Sequence, residues 1–163
     1  MKKFNMIVCS TLLLINAAVY SGSVYAETTS GPCHSFAWNQ AAAQKGDADA
    51  QYQLAMMYFN GDDVKTDHQK AQQWLEQAAA QNNVQAQYRL ATMHERGLGI
   101  AQNAEAAFKW YLSAAQLGDA KAQFKVADAY QHGTGTVQNP LEAKKWLSLA
   151  ANQGNVLAQA AVK

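Results

Sequence analysis

Three short stretches of the chain hold residues whose types and spacing could support ligand binding. Asp62, Asp63 and Asp67 would suit a hard cation such as calcium, and the glycines of residues 97–99 and 133–135 resemble a phosphate-binding loop. The acidic stretch lacks the glutamate that closes a calcium loop, and neither glycine pair is followed by the lysine of a phosphate loop. All three stretches are therefore predicted to be turns between helices.

Motifs of nucleophilic and metal-assisted catalysis do not occur in the chain. There is no Gly-x-Ser-x-Gly turn for an activated serine and no His-Glu-x-x-His pair for zinc. Cys33 and His34 are adjacent, but two ligands fall short of the four that a closed zinc site uses. The sequence therefore predicts a protein that is not an enzyme and that holds no cofactor and no metal.

The first residues have the features of a secretory signal peptide. Lys2 and Lys3 precede an apolar run that reaches about Tyr20, and Ala26 supplies a small residue for cleavage. The run is interrupted by polar residues and falls short of the ~20 apolar residues of a membrane-spanning helix. We expect residues 1–26 to be removed, which leaves a periplasmic or secreted product that does not insert into the membrane.

The segment after the expected cleavage point, residues 27–35, is polar and contains Gly31 and Pro32, which predicts a flexible leader. Cys9 would leave with the signal peptide, so Cys33 would remain as a free thiol or form an intermolecular disulfide in a dimer. Loss of two lysines would take 13 basic residues to 11, against 12 acidic ones. A nearly neutral chain is a poor partner for nucleic acid, because phosphate binding depends on basic surface.

The rest of the chain repeats itself every 36 residues. This constant interval separates the four tryptophans, Trp38, Trp74, Trp110 and Trp146. A fixed period of roughly 20 to 50 residues is typical of a stacked-repeat solenoid. The full copies carry a pair of alanines after the tryptophan, which lets neighbouring helices approach closely. We therefore expect the indoles to fill the core between helical hairpins.

Each repeat carries the signals of two helices joined by a turn. In the first full copy Ala50, Leu54 and Tyr58 are four residues apart, which places them on one face of a helix. Gly61 is predicted to end this helix and Asp67 to cap the next one. The same signals recur in the later copies, so the sequence predicts an all-α protein built from helix-turn-helix units.

The register of these signals divides the chain into units. We assign a partial repeat to residues 36–46, full repeats to 47–82, 83–118 and 119–154, and a second partial repeat to 155–163.

The units resemble the Sel-1-like repeats, a branch of the tetratricopeptide-like α/α solenoids. The shared pattern is Ala-x-Ala-Gln-x-x-Leu-Ala-x-x-Tyr, a Gly-x-Gly turn, Lys-Ala-x-x-Trp and Ala-Ala-x-x-Gly, over roughly residues 36–163. Asp63, Asn82 and His94 depart from it, since they replace two glycines and a tyrosine. The resemblance implies a right-handed α/α superhelical solenoid that serves as a non-catalytic adaptor or scaffold.

Positions that change from copy to copy are candidates for partner contact, because the constant positions hold the hairpins together. On the first helix of each unit such positions are three and four residues apart and share a face. They are Gln53, Met56, Asn60, Arg89, Thr92, Arg96, Lys125, Asp128 and His132. In related solenoids the first helices line the concave side, so these residues predict a groove for a protein or peptide. The arginines favour a partner with acidic side chains or a free C-terminus.

Two other functions remain open from the sequence. One is an immunity protein that neutralises a secreted toxin. The other is a hydrolase of cell-wall or β-lactam substrates, an activity sometimes attached to cysteine-rich relatives whose hairpins are held by disulfides. This chain lacks those cysteines, so the resemblance does not carry that activity over.

Overall fold

A computed structural model of the chain describes residues 35–161, and these form eight α-helices and no β-strand. In chain order the helices are α1 (Phe36–Gln44), α2 (Ala48–Asn60), α3 (His68–Ala80), α4 (Val84–Arg96), α5 (Ala104–Gln116), α6 (Ala120–His132), α7 (Pro140–Asn152) and α8 (Val156–Ala161). None of these helices is long and apolar enough to cross a membrane. The predicted signal peptide and Cys33 lie outside the described residues, so the cleavage and the disulfide remain predictions.

The helices pack in chain order. α2 pairs with α3, α4 with α5 and α6 with α7, while α3 also contacts α4 and α5 also contacts α6. The short terminal helices continue the series, since α1 packs on α2 and α8 packs on α7. Contacts between sequential neighbours are the mark of a solenoid. The prediction of an all-α solenoid of helix-turn-helix units, each of about 36 residues, is confirmed.

The helix ends lie where the sequence signals predicted them. Left-handed glycines end the first helix of each full unit, namely Gly61, Gly97 and Gly133. At the start of each second helix a side-chain oxygen accepts a hydrogen bond from a backbone N–H group. These oxygens belong to Asp67, Asn103 and Asn139. These caps satisfy amides that have no partner within the helix, so the boundaries follow from local chemistry.

The turns of neighbouring units touch one another. A β-carbon at Gly135 would collide with the backbone of Ala104, at the start of α5. A β-carbon at Gly99 would collide with the side chain of His68, at the start of α3. Both glycines have positive φ values, 70° and 73°, and Asp63 adopts the same left-handed backbone in the first unit, with φ of 58°. The second glycine of the later turns is therefore required for stacking as well as for the turn.

The core is a row of small clusters along the solenoid. Its fully buried aliphatic side chains on the first helices are Leu54, Leu90 and Val126. The expectation that the tryptophans fill this core is met only in part: Trp74 and Trp146 are partly buried and pack against the clusters. Trp110 is partly buried and packs across two successive clusters, whereas Trp38 is 44% exposed. Because an indole is large, it is seldom buried completely, and these tryptophans follow that rule.

Candidate functional site

A cleft of about 440 Å³ opens between the first helices α4 and α6. Tyr52 of α2 and Tyr111 of α5 complete its walls. Four of the nine predicted partner-binding residues line it, namely Arg89, Thr92, Arg96 and Lys125. The structure therefore brings together side chains from two consecutive units, as a groove along the first helices requires.

The other five predicted residues lie outside this cleft. Gln53 lines an adjoining hollow of about 520 Å³, which shares Tyr52 and Gln85 with the cleft. The residues that line neither hollow are Met56, Asn60, Asp128 and His132. Asp128 and His132 face each other instead, with 3.2 Å between Asp128 Oδ1 and His132 Nδ1. The predicted face thus divides into a cleft-lining group and an outer group, and partner binding by either group remains a prediction.

A hydrogen-bonded network lies at the centre of the cleft. Glu95 Oε1 accepts a hydrogen bond from Lys125 Nζ at 2.7 Å, and Glu95 Oε2 accepts one from the Tyr111 hydroxyl at 2.9 Å. The Thr92 hydroxyl lies 3.2 Å from the Tyr111 oxygen and donates to the Tyr88 carbonyl at 3.0 Å. Because Glu95, Tyr111 and Lys125 belong to three successive helices, the network ties α4, α5 and α6 together.

This network depends on a departure from the repeat at Tyr111. The equivalent positions in the neighbouring units hold leucine, at Leu75 and Leu147. Tyr111 keeps the packing role of these residues, since it is only 4% exposed and belongs to a buried cluster. Its hydroxyl adds a polar end to a core position, and that end reaches Glu95.

The ion pair across the cleft uses a contact that the fold repeats. Residues 30 apart on consecutive first helices face each other, so the Arg89 guanidinium lies over the Phe59 ring at 5.2 Å. One unit later Lys125 meets Glu95 in the same relation. Glu95 thus takes the place that Phe59 has in the preceding unit. The cation opposite is Arg89 on the Phe59 ring in one unit and Lys125 in an ion pair with Glu95 in the next.

The surroundings of the network determine the protonation states of the Tyr111 hydroxyl and the Glu95 carboxylate. Burial raises the pKa of the Tyr111 hydroxyl above its ordinary value, so this hydroxyl keeps its proton and donates. Partial burial also pushes the pKa of Glu95 upward, but the hydrogen bonds from Lys125 and Tyr111 outweigh it and hold that pKa below its ordinary value. Glu95 is therefore a carboxylate at neutral pH.

The cations left for a ligand are those that the network does not use. Arg89 and Arg96 line the cleft, and neither guanidinium has a hydrogen bond to another described residue. Lys121 lines the cleft from α6, while the Asp119 carboxylate accepts a backbone hydrogen bond as the cap of that helix. Three of the side chains with unused donors in the cleft are thus cationic, which suits a carboxylate or phosphate group of a ligand.

Sequence reasoning missed two central residues of this site, Glu95 and Tyr111. It compared three positions on each first helix and treated Asp128 as the lone carboxylate among them. The cleft as a whole is less basic than that comparison implied, because Glu95 and Asp119 also line it. The available signal was the tyrosine at 111, which interrupts a leucine register.

The fold and the cleft define a class, the α/α repeat solenoids with a polar cleft across successive first helices. Among residues 35–161, no group of three or more His, Cys, Asp or Glu side chains could hold a metal ion. The family model for the Sel1 repeat matches residues 48–83, 84–119 and 120–155. The chain belongs to the Sel1 repeat family. Proteins of this family are in general non-catalytic scaffolds for protein–protein interaction.

Solved structures of repeat proteins superimpose on the chain. A protective antigen of uropathogenic Escherichia coli has 35% identity and a TM-score of 0.75 over 76% of this chain, which spans only 27% of that protein. A Sel1 repeat protein from Oxalobacter formigenes has 34% identity and a TM-score of 0.71, over 75% of this chain and 92% of that one. Cysteine-rich protein B of Helicobacter pylori shares the fold at 20% identity, with a TM-score of 0.60 over 76% and 89% of the two chains. No curated protein matches the chain.

Proposed function

We propose that this chain is an exported protein-binding module whose partner occupies the cleft between α4 and α6. The observation that carries the proposal is the pair of arginines on α4. Arg89 and Arg96 both line the cleft, and their guanidinium groups have no hydrogen bond to another described residue. Because the arginine fork binds carboxylates through two parallel hydrogen bonds, the partner segment carries acidic side chains or a free C-terminus.

The central network supports this assignment by pairing two of the other charges of the cleft, Glu95 and Lys125. Lys125 is bound to Glu95 at 2.7 Å, so neither residue competes for the partner's carboxylates or attracts a cation to the same place. Tyr111 holds the second oxygen of Glu95 and keeps the carboxylate against α5. A satisfied network is rigid, and a rigid site loses less entropy when it binds.

The adjoining hollow extends the site towards α2. Its side chains include the carboxamides of Gln53, Asn82 and Gln85, which both donate and accept hydrogen bonds. Such groups suit the main chain of an extended peptide, whereas the arginines suit its charged end. The partner segment therefore runs from a neutral stretch near α2 to an acidic stretch near α4 and α6.

Export supports a partner in the periplasm or outside the cell. The proposal takes residues 1–26 as a cleaved signal peptide, on the basic start, the apolar run and the small residue at Ala26.

Affinity capture from a periplasmic extract, with the mature protein as bait, tests the function. The captured partner is then titrated against wild type and the double variant R89A/R96A in a salt series. We expect the double variant to bind at least about tenfold more weakly at low salt, with a smaller difference at high salt, because added ions screen charged contacts.

The matched control removes two positive charges away from the cleft. Lys109 and Lys144 are exposed on α5 and α7 and do not line it, so K109A/K144A loses the same charge and keeps the site. Equal losses of affinity in the two double variants would show only a general charge effect. Unchanged affinity of R89A/R96A would move the partner to another surface, and a failure to capture any protein would contradict the binding function itself.

A further inference from the structure

The turn between the first and second full units is tied to the helix α2. This turn comprises residues 81–83. Gln81 Nε2 donates a hydrogen bond to Gln51 Oε1 at 2.8 Å, and Asn83 Nδ2 donates one to Asp49 Oδ1 at 2.9 Å. The end of α3 and the start of α4 are thereby both attached to the start of α2.

The equivalent turn after the third full unit, residues 153–155, also has two attachments to the preceding first helix, α6. Gln153 Nε2 donates to Gln123 Oε1 at 2.8 Å, and Asn155 Nδ2 donates to the Ala120 carbonyl at 3.1 Å. The carboxamide pairs at 51 and 81 and at 123 and 153 are both 30 residues apart, so this attachment belongs to the repeat.

The middle turn, residues 117–119, lacks both attachments. Leu117 replaces the glutamine, and Asp119 has a carboxylate, which only accepts hydrogen bonds, where the other turns have a carboxamide. The consequence is visible at Gln87, which is 3% exposed. Its Nε2 donates to the Ala79 carbonyl at 3.1 Å, but its buried Oε1 has no hydrogen-bond partner. Leu117 stays 47% exposed, although it is apolar.

This unattached turn borders the cleft. Asp119 lines the cleft from the start of α6, and Gln85 lines it from the start of α4. Farther along the same two helices, Lys125 and Glu95 are held together at 2.7 Å. α6 is therefore fastened to α4 near the middle of α6 and is free of side-chain hydrogen bonds to α4 at its first turn.

We propose that the turn of residues 117–119 and the first turn of α6 form a hinged wall of the cleft, which swings away from α4 about the Glu95–Lys125 contact. The adjoining turns are restrained from this movement, because two carboxamides hold each of them to the preceding first helix. The hinge belongs to the free chain and does not depend on the identity or existence of a partner.

Hydrogen exchange of two matched amides in the wild-type protein tests the hinge. The Asp119 amide donates to the Ala114 carbonyl and the Asn83 amide donates to the Ala78 carbonyl, each at 3.1 Å. Their static geometry is the same, so a difference in protection factor reports local opening. We expect the protection factor at Asp119 to be at least about fivefold lower than at Asn83. Equal protection at the two amides would overturn the proposal.

The double variant L117Q/D119N restores both carboxamides and should close the hinge. Asn83 and Asn155 show that an asparagine also caps the following helix, so the change keeps the cap of α6. Protection of the backbone amide at position 119 should rise about fivefold, towards the value at Asn83. The control L149Q makes the same change at an exposed leucine of α7, 40% exposed, and should leave that amide unaffected.

An unchanged protection factor in L117Q/D119N, or an equal rise in L149Q, would contradict the hinge. No partner is present in these measurements, so their outcome is separate from that of the capture experiment. If hydrogen exchange shows a rigid turn but a partner is captured, the hinge is wrong and the proposed function stands. If the turn is mobile but no partner is captured, the hinge stands and the proposed function is wrong.

Discussion

The interior seam, which is the row of buried clusters around Leu54, Leu90 and Val126, and the α4–α6 cleft are built from the same repeat. They differ in how far their residues may vary from unit to unit. In the seam, equivalent positions hold similar aliphatic residues, all fully buried: Leu54, Leu90 and Val126. Along the first helices next to it, one position in the repeat holds an amide in the first unit and two different cations in the later ones: Gln53, Arg89 and Lys125. A side chain that packs between units is constrained by the period, whereas one that faces the cleft is free to change.

The largest difference between the two regions should be the loss of stability when a residue of the seam is truncated. Leu90→Ala removes a fully buried side chain from a cluster that joins the first two full units. We expect the free energy of unfolding to fall by about 2–5 kcal/mol, because the lost burial and the remaining cavity add together. Chemical denaturation of the purified protein measures this change.

The control for Leu90→Ala is a leucine that the seam does not use. Leu141 is 83% exposed on α7, so Leu141→Ala should change stability by less than about 0.5 kcal/mol. Similar losses in both variants would show that the repeat register does not distinguish packed from solvent-facing positions.

The helix boundaries were predicted from signals that act between residues close together in the sequence. Asp67 caps α3 through an amide three residues away, and Gly97 ends α4 with its own backbone, so both were visible without a fold. The attachment of Gln81 to Gln51 crosses 30 residues and depends on where two helices place their side chains. Its glutamines recur in the sequence, but only the structure assigns them a role and shows that Leu117 breaks it.

The tryptophans illustrate a second limit of sequence reasoning. The period correctly predicted that they lie on one register, but it does not give the width of the gap that each one enters. Trp110 has a hairpin on both sides and is partly buried, whereas Trp38 is 44% exposed in the first described helix. Burial depends on the number of neighbouring helices, which one residue and its spacing do not specify.

A smaller effect should come from the hydroxyl that connects the seam to the cleft. Tyr111→Phe keeps the buried ring but removes the donor to Glu95, which is 2.9 Å from the hydroxyl. We expect a loss of about 1–2 kcal/mol, since a hydrogen bond to a carboxylate is lost while the ring remains packed. Thermal and chemical denaturation measure this loss.

Tyr88→Phe is the matched control, because Tyr88 packs edge-on against Tyr111, with 5.3 Å between ring centroids. Its own hydroxyl has no hydrogen bond to another described residue. The control should therefore be nearly neutral. If the two variants lose the same stability, the network at Glu95 contributes nothing beyond ring packing, and the contrast between seam and cleft weakens.

The smallest effect should appear in the pH dependence of stability at Glu95. Hydrogen bonds from Lys125 and Tyr111 outweigh the effect of partial burial and hold its pKa in the folded protein below the ordinary value of 4.5. The unfolded chain therefore takes up this proton at a higher pH than the folded protein does. The stabilising contribution is present above the unfolded pKa and is lost as pH falls through the folded pKa.

Glu95→Gln removes that contribution and keeps the shape of the side chain. Wild type should be more stable than the variant at neutral pH, and the difference should shrink below about pH 4. We expect less than about 1 kcal/mol, because the Glu95 side chain is 34% exposed and solvent screens the pair. Glu105→Gln, at an exposed glutamate of α5, controls for the loss of one carboxylate. A difference between wild type and Glu95→Gln that stays constant from neutral to acid pH would show that Glu95 acts by packing alone, and the cleft would then follow the same rule as the seam.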